Sequence, residues 1–185
     1  MAVSQQKGTD VLDSSLLRTE QRTLLDYWQS LEAGGRIPSR AAVNPLDFPK
    51  LLKSIGLIDV VTEIGGDYRF RYRLIGTQIN HIHGTDYTDQ SVNDAEAGAY
   101  ELSMAQLCRD TVTSRGPVFS RIRMTYADGR ELETDRLVLP MASDGKVIDM
   151  LMFSYLFRSE NLTFGLKPFR VGDIVHSSES LRLAA

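Results

Sequence analysis

The stretch from Tyr68 to Ile75 constrains the fold of this chain more than any other. Tyr68, Phe70, Tyr72 and Leu74 alternate strictly with Arg69, Arg71 and Arg73. A period of two is that of a β-strand, and apolar residues on one side with cations on the other describe an antiparallel sheet that covers a core with one face and meets water with the other. Upstream, Ile55 to Thr62 is short and rich in β-branched residues, and Gly65-Gly66 supplies a hairpin turn between the two.

Three further strands are expected at Val118 to Tyr126, Glu131 to Leu139 and Lys146 to Leu156, separated by Asp128-Gly129 and Asp144-Gly145 turns. Charge selects the register of the first of these hairpins. A three-residue loop with Gly129 left-handed sets Arg123 against Glu133, Arg121 against Asp135 and Met124 against Leu132, whereas a two-residue loop would face Ile122 with Asp135. The first register pairs opposite charges on the solvent side and is the one expected.

Helical signals surround and interrupt these strands. Leu17, Leu24, Trp28 and Leu31 form an amphipathic stripe that Gly34-Gly35 ends, and Asn44-Pro45 caps a short helix carrying Leu46, Phe48, Leu51 and Leu52, limited by Pro49. A helical turn is expected around Gln78 to His83. A longer helix follows over Glu96 to Arg115, its broad apolar side made by Leu102, Met104, Ala105, Cys108 and Val112, and Gly116-Pro117 stops it. The resulting class is α+β: five antiparallel strands, helices inserted after the second, and an amphipathic helix in front. Residues 1–15 read as a flexible leader, 16–157 as one domain, and 158–185 as a tail without clear period that packs on the domain or on a partner.

This order of elements resembles the PAS family. The resemblance is carried by the helical insert after Tyr68 to Ile75 with its Gly76-Thr77 exit, by Gly116-Pro117 before the third strand and by Asp128-Gly129 in the next hairpin. It is closest to a bacterial group of small, mostly single-domain PAS-like proteins, whose pattern is matched by Tyr27-Trp28, Pro38, Asn44-Pro45, Leu51-Leu52, the Phe70-to-Thr77 stretch and Leu137-Val138-Leu139-Pro140. It covers about residues 20 to 157.

The resemblance implies a non-catalytic sensory or regulatory module that binds a small molecule, a signalling partner, or both, with a pocket between the sheet and the helical insert. A ligand-free interaction domain is the alternative, and a small enzyme acting through His81, His83 or Arg136 ranks below it. Candidate ligand contacts are Tyr72, Leu74, His83, Met104, Cys108, Ile122, Met124, Thr134 and Arg136. The last strand adds either Met150 and Met152 or Leu151 and Phe153, and the first pair is the one taken. Arg136 is the odd cation, because the expected register turns it inward, opposite Ser120. The leading helix offers Leu24, Tyr27, Trp28 and Leu31 to the sheet or to a second subunit in a homodimer.

Composition narrows the chemistry. With 21 basic and 24 acidic residues the net charge is −3, which gives no argument for nucleic acid or anionic lipid. The arginine rows lack interleaved aromatics on their own face, so they read as a solvated, salt-bridged surface. A lone Cys108 excludes an internal disulfide and fits a reducing cytoplasm. Inside a helix, without the Asn and Phe that flank the reactive cysteine of flavin-binding PAS domains, it also disfavours flavin. Haem is disfavoured because the long helix has no histidine, and His81 and His83 lack a third ligand at metal spacing. No signal peptide is visible, and the longest mainly apolar run, Val147 to Phe157, falls well short of the ~20 residues that span a bilayer. The residues after Phe157 are too few for a kinase or cyclase, so any signal would pass to a separate protein.

Overall fold

The computed structural model describes residues 14–92, 99–158 and 174–184. Residues 1–13 of the expected leader at 1–15, residues 96–98 of the expected long helix, and Leu162, Phe164, Leu166 and Phe169 of the tail lie outside the described residues, while the end of that leader enters a 3-10 turn, Ser14–Leu16. The five expected strands are β1 (Ile55–Thr62), β2 (Tyr68–Ile75), β3 (Val118–Tyr126), β4 (Glu131–Met141) and β5 (Met150–Arg158). The tail adds a sixth, β6 (Ile174–Ala184), which pairs antiparallel with β3, so the sheet runs β2-β1-β5-β4-β3-β6. Without β6 the backbone of β3 would be an open edge, and pairing it removes a row of unsatisfied N–H and C=O groups.

The hairpin between β3 and β4 adopts the register that charge selects. Arg121 lies opposite Asp135, Arg123 opposite Glu133 and Met124 opposite Leu132, with Gly129 at φ 80°. Residues paired across an antiparallel ladder share a face, so one side of the sheet carries Thr134, Arg136, Ile122 and Met124, and the other carries Asp135, Arg121 and Phe119. The first is called the inner face below, and the second the outer face.

The inner face is covered by α2 (Thr77–His83) and α3 (Ala99–Ser114), the latter burying Met104, Ala105, Leu107, Cys108 and Val112. The outer face is covered by α1 (Thr19–Ser30), which buries Gln21, Leu24, Leu25 and Trp28. No side chain caps the N-terminus of α1, so tertiary contacts hold it. Arg18 meets the buried carboxylate of Asp135 at 2.8 Å and Gln21 donates to the Asp135 carbonyl at 3.1 Å. The expected short helix after Asn44 is instead two 3-10 segments, Pro45–Asp47 and Pro49–Ser54, broken at Phe48 because Pro49 cannot extend the first. Asn44 accepts from the Leu46 N–H, as its cap position requires.

Two sequence-based face assignments are corrected by the strand pairing. A bulge between Leu57 and Ile58 on the β1–β2 ladder leaves Arg73 as an extra residue, so Leu57 faces Leu74 while Ile58 faces Tyr72. The bulge changes the phase of the strand, turning Leu74 outward and Ile75 inward, and lets Arg71 and Arg73 both reach Asp59 at 3.0 Å. On β5, Phe153 opposes Val138 and Leu151 opposes Pro140, which places Leu151 and Phe153 inward, and Met150 and Met152 outward.

Candidate functional site

Two regions of this fold have the residues for recognition, one on each side of the sheet. The inner region is where Tyr72, His83, Met104, Cys108, Ile122, Met124, Thr134 and Arg136 come together, and each of them is buried. Arg136 donates to Ser120 Oγ at 2.7 Å, and Tyr155, its partner across the β4–β5 ladder, donates its hydroxyl to Met104 Sδ at 2.9 Å. Aromatic rings fill the rest. Phe153 and Tyr155 have centroids 4.9 Å apart, Tyr72 meets Phe153 at 6.0 Å, and the His83 ring meets Phe157 edge-on at 5.7 Å.

This packing leaves a cavity of about 10 Å³ among Tyr72, Ile79, His83, Tyr87, Phe153 and Tyr155. That is the threshold for one water and far below the ~300 Å³ at the lower end of small-molecule pockets. Among the described residues, the inner group is thus closely packed around this small space and carries polar members.

The core's reactive candidates are also held quiet. Burial pushes the Cys108 thiol well up from its ordinary pKa, and the nearby positive charge of Arg136 only partly opposes this. A protonated, fully buried thiol is a poor nucleophile. His81 and His83, two residues apart on α2, point to opposite sides, His81 exposed and His83 buried, so they do not converge on one atom.

The outer region is open. A groove of about 410 Å³ lies between the outer face of β1, β2 and β5 and the 3-10 segments, and is lined by Arg40, Val43, Pro45, Phe48, Leu52, Lys53, Ile55, Leu57, Leu74, Ile75, Gly76, Thr77 and Met152. Leu74 and Met152, two of the residues whose face is corrected above, are part of its wall. Leu52 is 40% exposed and Leu74 47%, unusual for leucines that sit beside a core.

Local backbone chemistry shapes this groove. Gly76 sits where the end of the Pro49–Ser54 segment crosses the start of α2, so close to the Lys53 carbonyl that a Cβ would collide with it. Phe48 forms the far wall and meets Tyr27 of α1 edge-on at 5.1 Å, while the Tyr27 hydroxyl accepts from the Asn44 N–H at 2.9 Å. The groove is thereby tied to the leading helix. Sequence reasoning missed Arg40, Val43, Phe48, Lys53 and Leu57 as site residues. The available signal was the Pro45/Pro49 pair, which shortens a helix and leaves Leu52 without a covering partner.

Of the residues offered to a second subunit, Leu24 and Trp28 are buried against the chain's own sheet, and Tyr27 and Leu31 are half-buried. A dimer could not use Leu24 and Trp28 without first undocking α1. Among the described residues no group of three or more His, Cys, Asp or Glu is placed to hold a metal ion, and no helix is long and apolar enough to cross a membrane.

A family model described as PAS domain matches residues 17–153, from the residues before α1 into β5. None of the curated proteins matches the chain.

Proposed function

The chain belongs to the PAS domain family, and from that premise we propose that it is a non-catalytic regulatory module of the cytoplasm, which binds a small molecule in the outer groove and signals to a separate protein. The observation that carries this reading is a contrast among the described residues, between the space of about 10 Å³ beside Tyr72, His83 and Phe153 on the inner side and the groove of about 410 Å³ on the outer side. The groove's volume falls within the ~300–1,000 Å³ common to small-molecule sites.

Its connection to α1 suggests how occupancy is read out. A ligand against Phe48 bears on Tyr27, and through it on the helix that covers the outer face. A shift of that helix alters the surface a signalling partner meets. Catalysis is not part of the proposal, because the buried thiol is held protonated and the two histidines diverge.

Native mass spectrometry of the protein taken from the cells that make it tests the reading. A reproducible small-molecule adduct is expected, absent from the Leu74→Glu variant, whose exposed site tolerates the change. Protein without adduct in every preparation would contradict it and favour a ligand-free interaction domain, the reading that the closed core alone supports.

A further inference from the structure

We propose that the outer groove is a site for an amphipathic carboxylate, a free fatty-acid-like anion whose chain lies on Leu57, Leu74 and Met152 and whose head meets Arg40 and Lys53. The inference rests on the groove being the ligand site, and it adds the ligand's class.

Charge makes the first part of the argument. Arg40 and Lys53 line the groove and no acidic residue does. On the same sheet Arg69, Arg71, Arg73, Arg121 and Arg123 each pair with a carboxylate, whereas Arg40 and Lys53 are in no ion pair among the described residues. Arg40 is not adrift, since its Nη1 donates to the Val43 carbonyl at 3.2 Å, which holds the guanidinium against the groove wall with other donors to spare. Two cations without acids beside a concavity attract an anion.

The remaining wall decides what kind of anion. It is mainly aliphatic and aromatic, with Leu52 and Leu74 left 40% and 47% exposed. A phosphate or nucleotide would leave that surface wet and gain nothing from it. A ligand with one anionic end and an apolar chain satisfies both parts, burying apolar area at roughly 25 cal/mol per Å² while its head makes charge-assisted hydrogen bonds.

Isothermal titration calorimetry on the full chain, using decanoate below its micelle concentration, tests this. Decanoate is expected to bind saturably at one site, and decyltrimethylammonium about tenfold more weakly or not at all. The Arg40→Gln/Lys53→Gln double variant is expected to weaken decanoate about tenfold, equivalent to ~1.4 kcal/mol, with an unchanged thermal unfolding curve. Equal binding of the anionic and cationic detergents, full affinity in the double variant, or binding to phosphatidylglycerol vesicles without binding of free decanoate would each overturn the proposal. If decanoate fails while a cellular adduct is still lost in Leu74→Glu, only the carboxylate class is wrong. If both fail, the groove is not the ligand site.

Discussion

Trp28 donates its indole N–H to the carbonyl oxygen of Pro140 at 2.8 Å, fastening the last turn of α1 to the end of β4. Proline has no N–H to offer, but its carbonyl remains a full acceptor, and a buried indole needs one. Trp28→Phe keeps an aromatic ring and loses the bond. A destabilisation of about 1–2 kcal/mol is expected in urea unfolding followed by circular dichroism. An unchanged midpoint would show that the contact does not hold α1.

Asp135 is fully buried yet ionic, meeting Arg18 at 2.8 Å and Arg121 through both carboxylate oxygens. The hydrogen bond to Asp135 is the main reason that the Arg121 pKa is raised. Removing the shared acceptor leaves the guanidinium groups of Arg18, Arg121 and, at 3.9 Å, Arg158 facing a vacated site. Asp135→Ala is expected to cost about 3 kcal/mol in the same unfolding experiment, whereas Arg123→Ala, at an exposed pair, should cost under about 1 kcal/mol.

Thr134 offers the opposite case. It is fully buried on the inner face opposite Ile122, and its hydroxyl has no hydrogen-bond partner among the described residues. Thr134→Val replaces the hydroxyl with a methyl group of similar shape, so stability is expected to rise, by about 1 kcal/mol. A fall of that size in the unfolding free energy would show that the hydroxyl has a hidden acceptor.

How far these features were legible in the sequence depends on how local their causes are. Alternating charge on β3 and β4 specified the Arg121–Asp135 register because a one-residue slip would set Asp135 against Ile122 and away from its arginine. The same reading failed at Leu74, since the clean alternation from Tyr68 onward carries no mark of the bulge at Arg73, a feature of the pairing with β1, where Arg73 meets Asp59. On β5 both faces are covered, and residues 151–155 are all buried, so no polar residues revealed its phase. The polar tail gave no sign of β6, whose pairing is supplied by β3. The groove is still less local, because its wall joins Arg40 to Leu57, Leu74 to Thr77, and Met152.

Cys108 carries a pH dependence whose sign follows from its burial. A thiol with its pKa raised in the folded state stabilises the fold relative to ionisation, and that contribution is complete below the ordinary thiol pKa of about 8.5 and lost as pH climbs above it. Ellman's reagent at pH 8 is therefore expected to leave Cys108 unmodified in native protein and to react promptly in ~8 M urea. Rapid labelling without denaturant would mean that α3 opens easily.

The central claim is that this domain reads its ligand on the outer face while its core stays closed, and methionine methyl NMR reports on both places at once. Met152 lines the outer groove, whereas Met104 and Met124 are buried on the inner side. Titrating decanoate into protein labelled at the methionine methyl groups should shift the Met152 resonance and leave those of Met104 and Met124 in place. Shifts at Met104 and Met124 with Met152 unmoved would put the ligand in the core and contradict the account.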